Sequence, residues 1–69
     1  MNARQINRKL NSMGYDLELW YNRSGGTWVI TGTNKNKQYF SNSVYVYRLN
    51  HLTFNEWIKE ALYQFNKEN

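Results

Sequence analysis

The sequence predicts an α+β domain in the order α-β-β-β-α, a three-stranded antiparallel meander with two helices packed on one face. Three observations predict it. Residues 3–13 and 54–65 carry apolar side chains at helical spacing, one stretch at each end of the chain. Between them, residues 16–22 and 27–33 are rich in aromatic and β-branched residues and flank the turn Arg23-Ser24-Gly25-Gly26. A third short run containing Phe40 follows after a polar connection. All 69 residues are expected to form one domain, since no linker, repeat or low-complexity stretch divides them.

In the first helix Ile6, Leu10 and Met13 fall at i, i+4 and i+7, leaving Arg4, Arg8 and Lys9 on the remaining surface. Gly14 can then take the left-handed conformation that closes a helix. Counting back from the 23–26 turn pairs Tyr21 with Trp28 and Leu19 with Ile30 on the core face. The same count pairs Trp20 with Val29 and Glu18 with Thr31 on the other face. Gly25 and Gly26 serve the turn, both read as permitting positive φ. Asn34-Lys35-Asn36 suits a three-residue hairpin loop with its last position left-handed, and that register sets Phe40 beside Ile30. The run VYVYRL, residues 44–49, is open to three readings: a continuation of the third strand after a bulge, a short extra strand, or an irregular path.

The last helix has a sharp start. Thr53 and Glu56 stand at capping-box spacing, and Leu52 and Trp57 at that of a hydrophobic staple. Phe54, Trp57, Ile58, Ala61, Leu62 and Phe65 make its apolar stripe, with Asn55, Lys59, Glu60, Gln64 and Lys67 read as facing water. Tyr21, Trp28, Ile30, Phe40, Trp57 and Phe65 are expected in the core.

Composition narrows the function. Three Trp, six Tyr and three Phe give so short a chain large rings to bury, and with no cysteine there is neither a disulfide nor a zinc-thiolate site. No apolar run approaches the roughly 20 residues that span a bilayer, so the chain reads as soluble, unprocessed and cytoplasmic, with no membrane partner. A net charge of +4 favours encounter with nucleic acid or an acidic protein surface. One histidine and five scattered Asp and Glu offer no convergent acid-base or nucleophile-base pair, which argues against an enzyme. His51 lacks a histidine or cysteine partner, so no metal is expected, and no cofactor or small-molecule substrate is evident.

A helix closing at Gly14-Tyr15, a meander and a final helix, with SMGYDLELWY leading into GGTWVI, together resemble the double-stranded-RNA-binding-domain-like fold over nearly the whole chain. The resemblance implies the α-β-β-β-α layout. Domains of that kind that bind duplex RNA carry a lysine cluster at the start of the second helix. Thr53, Asn55 and Glu56 stand in those places here, with only Lys59 nearby, which disfavours duplex RNA. HicA-type mRNA-cleaving toxins have a similar layout with a catalytic histidine near the start of the second strand. Gly25, Gly26 and Thr27 occupy that stretch here, so a toxin-like ribonuclease is only a distant alternative. The chain also looks like a small bacteriophage or prophage protein, being short, cysteine-free and rich in Asn and Tyr.

The sheet face opposite the helices is the feature most like a site. Trp20 falls there with Val29 and Tyr39 as expected neighbours and Tyr45 or Tyr47 as additions; Arg23, Lys35 and Lys37 sit at the loop tips, and Arg4, Arg8 and Lys9 make a basic patch on the first helix. Exposed rings commonly mark an interface. The expectation is a non-enzymatic accessory protein that binds a macromolecule through this face: a host or phage protein, or itself as a homodimer. A module for single-stranded nucleic acid is the alternative, with bases stacked on Trp20 and Tyr39.

Overall fold

Asn2 starts the first helix, α1 (Ala3–Ser12), by a reciprocal pair of bonds: its side chain accepts the Gln5 backbone N–H at 2.9 Å, and its own N–H donates to Gln5 Oε1 at 2.9 Å. At the far end Gly14 turns left-handed at φ 90°, and the Tyr15 N–H reaches back to the Leu10 carbonyl at 3.1 Å. That closure makes Met13 the C-cap and ends the helix one residue earlier than its periodicity suggests. The computed structural model describes residues 1–67.

Strands β1 (Leu17–Asn22), β2 (Thr27–Thr33) and β3 (Tyr39–Val44) form an antiparallel sheet in that order, and both helices lie on one side of it. The expected α-β-β-β-α architecture is the observed one. The β1–β2 register is also as read: Leu19 faces Ile30, Trp20 faces Val29 and Tyr21 faces Trp28. In the connecting turn the Asn22 side chain accepts the N–H groups of Ser24 and Gly25, and only Gly26 takes a positive φ, at 68°. Gly25 therefore plays no left-handed role.

The β2–β3 register differs from expectation by two residues. Phe40 stands opposite Gly32, and Ile30 stands opposite Asn42. The loop does have three residues and a left-handed last position, but it runs from Lys35 to Lys37, with Lys37 at φ 62°. Asn34 causes the shift. Its buried side chain accepts the N–H groups of Asn36 and Gln38, both at 2.9 Å, while its backbone N–H donates to the Gln38 carbonyl. The asparagine is thus consumed in bracing the loop from its base, and a lysine is left at the strained position. Phe40 still points to the core because a shift of two preserves the face.

After Val44 the chain takes the irregular path. The Val46 N–H folds back to the Val44 carbonyl at 2.9 Å, leaving Tyr45 and Tyr47 in solvent and Val46 half-buried. A short 3-10 turn, η1 (Leu49–His51), leads into α2 (Phe54–Asn66). The Thr53–Glu56 capping box forms on both sides. The Thr53 backbone N–H, with the Thr53 side chain beside it, holds the Glu56 carboxyl below its ordinary range.

Ile6, Leu10, Leu17, Leu19, Ile30, Phe40, Trp57 and Ala61 make the core. Trp28 and Phe65 are half-buried around it, and Tyr21, expected inside, is exposed where β1 leaves the cover of the helices. Gln64 is a second departure: read as water-facing, it is buried. It lies seven residues after Trp57, on the stripe's centre line, and its Nε2 donates to Glu60 Oε2 at 3.0 Å.

Asn7 ties α1 to the sheet. Its carboxamide accepts the Leu19 N–H at 2.7 Å and donates to the Leu19 carbonyl at 3.0 Å, as a neighbouring strand would. Asn7→Ala leaves both groups of a buried residue unpaired and is expected to cost roughly 1–3 kcal/mol, read as a lower urea midpoint at unchanged slope. Asn7→Asp, which can only accept when ionised, should rescue little of that loss.

Candidate interaction surface

The side of the sheet away from the helices is formed by Glu18 and Trp20 from β1, Thr27, Val29, Thr31 and Thr33 from β2, and Tyr39, Ser41 and Ser43 from β3. No helix covers it. Trp20 stands opposite Val29, yet its Nε1–H donates at 2.9 Å to Thr31 Oγ1, two residues further along β2. The indole therefore reaches diagonally to the central strand. The Thr31 hydroxyl in turn pairs with Ser41 Oγ at 3.0 Å, so one chain of hydrogen bonds fixes the ring against all three strands.

This arrangement revises the expected platform. Val29 is 4% exposed, so it is not a contact surface. Tyr39 pairs with Thr33, four residues along β2 from Val29, or roughly 13 Å at strand spacing, so it is no neighbour of Trp20. The two-residue register shift is the cause: it sets Ser41 opposite Thr31, where Tyr39 was expected, and Ser43 opposite Val29. Tyr45 and Tyr47 line a separate groove of about 270 Å³ with Gly25, Gly26, Thr27 and Val46, at the turn end of the sheet.

The basic residues do not converge on the indole either. Arg23 is at the β1–β2 turn, while Lys35 and Lys37 are in the opposite loop, where the Lys35 N–H donates to the Phe65 carbonyl. Arg8 and Lys9 line a groove of about 410 Å³ with Gln5, Ser12 and Phe54 in the helical layer, and Arg4 is exposed on the same helix. The strand residues of the open face include no lysine or arginine, and the charge they do carry is acidic. Glu18 is two residues from Trp20 on the same side, and Asp16 accepts the Thr33 hydroxyl at 3.0 Å.

Thr31 and Ser41, whose hydroxyls hold the indole, are the residues of this candidate surface that sequence reasoning missed. Thr31 was already legible as a neighbour on that face; the expected register set Ser41 opposite Val29, and the loop hid its pairing with Thr31. His51 is exposed in η1, and among the described residues no group of three or more His, Cys, Asp or Glu gathers to hold a metal. Among the same residues no helix is long and apolar enough to cross a membrane. No family model, curated protein or solved structure matches the chain.

Proposed function

We propose that this chain is a non-enzymatic binding module that takes a protein partner on its open sheet face, with Trp20 as the anchor. The observation that carries this reading is the pinned indole. Trp20 is 39% exposed on a face its own helices do not cover, yet its Nε1 is hydrogen-bonded in place. A ring already held in one orientation loses little freedom on binding, and tryptophan is among the residues that most often dominate protein interfaces. The surrounding hydroxyls of Thr31, Ser41 and Ser43 supply a polar rim. Glu18 beside the ring opposes phosphate, which favours protein over nucleic acid at this position.

A role as a phage-type accessory protein accords with the short, cysteine-free chain and with a layout like that of double-stranded-RNA-binding domains. Single-stranded nucleic acid is the second reading, favoured by the net charge of +4 and by Arg8 and Lys9 beside an apolar groove.

Trp20→Ala is expected to weaken partner capture about 30-fold or more, equivalent to at least ~2 kcal/mol, with far-UV circular dichroism unchanged. Capture by the immobilised natural chain, its loss in the variant, and little response to salt are the expected results. Binding of a labelled oligo-dT that falls steeply with salt and ignores Trp20→Ala would replace this reading with the nucleic-acid one.

A further inference from the structure

The two margins of the sheet are not equivalent. On β1 the backbone groups of Leu19 point outward and are taken by Asn7, so Glu18 and Trp20 direct theirs to β2. Their partners Thr31 and Val29 face β1, which turns Trp28, Ile30 and Gly32 toward β3. Phase alternation then assigns Phe40, Asn42 and Val44 to the β2 ladder and leaves the N–H and C=O groups of Ser41 and Ser43 pointing out from the free side of β3. Among the described residues nothing in the chain bonds to those outward groups.

The sequence of this margin is self-complementary. Residues 39–45, YFSNSVY, read nearly the same in both directions about Asn42: Tyr39 mirrors Tyr45, Phe40 mirrors Val44 and Ser41 mirrors Ser43. An antiparallel strand of the same sequence, related by a two-fold axis at Asn42, sets Ser41 opposite Ser43 of the second copy. Both of those residues have outward-pointing backbone groups, as a hydrogen-bonded pair requires. Like side chains also fall together on each side of the joined sheet, which is what a symmetric interface demands.

Asn42 adds a second observation. It lies on the helix side of β3, between buried Phe40 and half-buried Val44, and is nevertheless exposed. The helices pack on β1 and β2 and leave the β3 margin uncovered there, so a neighbouring strand can approach. Pairing of β3 with β1 of another copy is opposed by Asn7, which already occupies the outer groups of Leu19.

From these features we infer that the chain forms a two-fold dimer by antiparallel pairing of β3 with β3, centred on Asn42, to give one continuous six-stranded sheet. This inference stands on the edge of β3 and does not rest on the function proposed for the open face.

Light scattering across a concentration series tests it. The expected mass rises from that of one 8.4 kDa chain to twice that value. Ser43→Pro removes an outward N–H that the β2 ladder does not use, and should yield a folded monomer. Asn42→Lys and Asn42→Glu place like charges across the axis and should each be monomeric, while an equimolar mixture of the two should recover the doubled mass. A natural chain that stays at one-chain mass at its highest soluble concentration overturns the inference. So does a doubled mass that persists in Asn42→Lys, or one that Trp20→Ala alone abolishes, since the contact then lies on the open face. Should Ser43→Pro not fold, the Asn42 charge pair decides the matter by itself.

Discussion

Trp57→Ala is expected to leave little or no cooperatively folded protein at ambient temperature. The side chain is 0% exposed, its ring meets Trp28 edge-on at 6.2 Å, and its Nε1–H donates to the Leu49 carbonyl at 2.7 Å. It therefore joins α2 to the sheet and ties down the irregular segment before it. Removing a buried Trp costs about 3–5 kcal/mol, while a chain of this length holds roughly 3–10 kcal/mol in total. Urea denaturation followed by far-UV circular dichroism reads the loss; a variant within about 1 kcal/mol of the natural chain would contradict this account of the core. Trp57→Phe separates the two contributions. It keeps most of the ring volume and gives up the bond to Leu49, for an expected cost of about 1–2 kcal/mol.

Gly32→Ala should be nearly as damaging, through crowding. Gly32 lies in the central strand opposite Leu17, and a Cβ there would run into the Asp16 carbonyl oxygen and lie 2.9 Å from Leu17 Cα. Those are backbone atoms that no rotamer change can clear. The expected cost is roughly 2–4 kcal/mol, seen as a lower urea midpoint and faster amide exchange in β1. Gly14→Ala is the contrasting control. Nothing lies within 4 Å of its Cβ position, and only the left-handed φ of 90° opposes the substitution, for about 1–2 kcal/mol.

The difference between those two glycines shows what the sequence could reveal. Gly14 was legible because helix closure is a local event, written in the residues on either side of it. The crowding at Gly32 depends on which residue β1 brings alongside, and nothing in the β2 sequence carries that information. The same division runs through the sheet. Trp20 could be placed on the open face because the 23–26 turn fixes the β1–β2 register by counting. Tyr39 could not, because the second loop is set by the Asn34 side chain bonding to Asn36 and Gln38, which moves every β3 partner by two positions.

Hydropathy patterning likewise found the apolar stripe of α2 but not buried Gln64, whose spacing from Trp57 and Ala61 put it on the stripe although its polarity argued otherwise. The candidate site was legible to the same extent. Trp20 and Thr31 were placed on the correct face by the β1–β2 register, whereas the pairing of Ser41 with Thr31 depends on the register that was missed.

The bonding of Asn7 to Leu19 also sets a limit on growth. In the language of polymer chemistry, a sheet with two reactive ends is a monomer that propagates into fibres, and one with a single reactive end is a terminator. Here the outward backbone groups of Leu19, in the middle of one end, are already taken by the chain's own first helix. A strand that joins at β3 leaves at the other margin an edge interrupted at Leu19, which opposes further extension. Asn7 thus interrupts an edge as well as joining helix to sheet, and its loss should open a route to fibrillar aggregation.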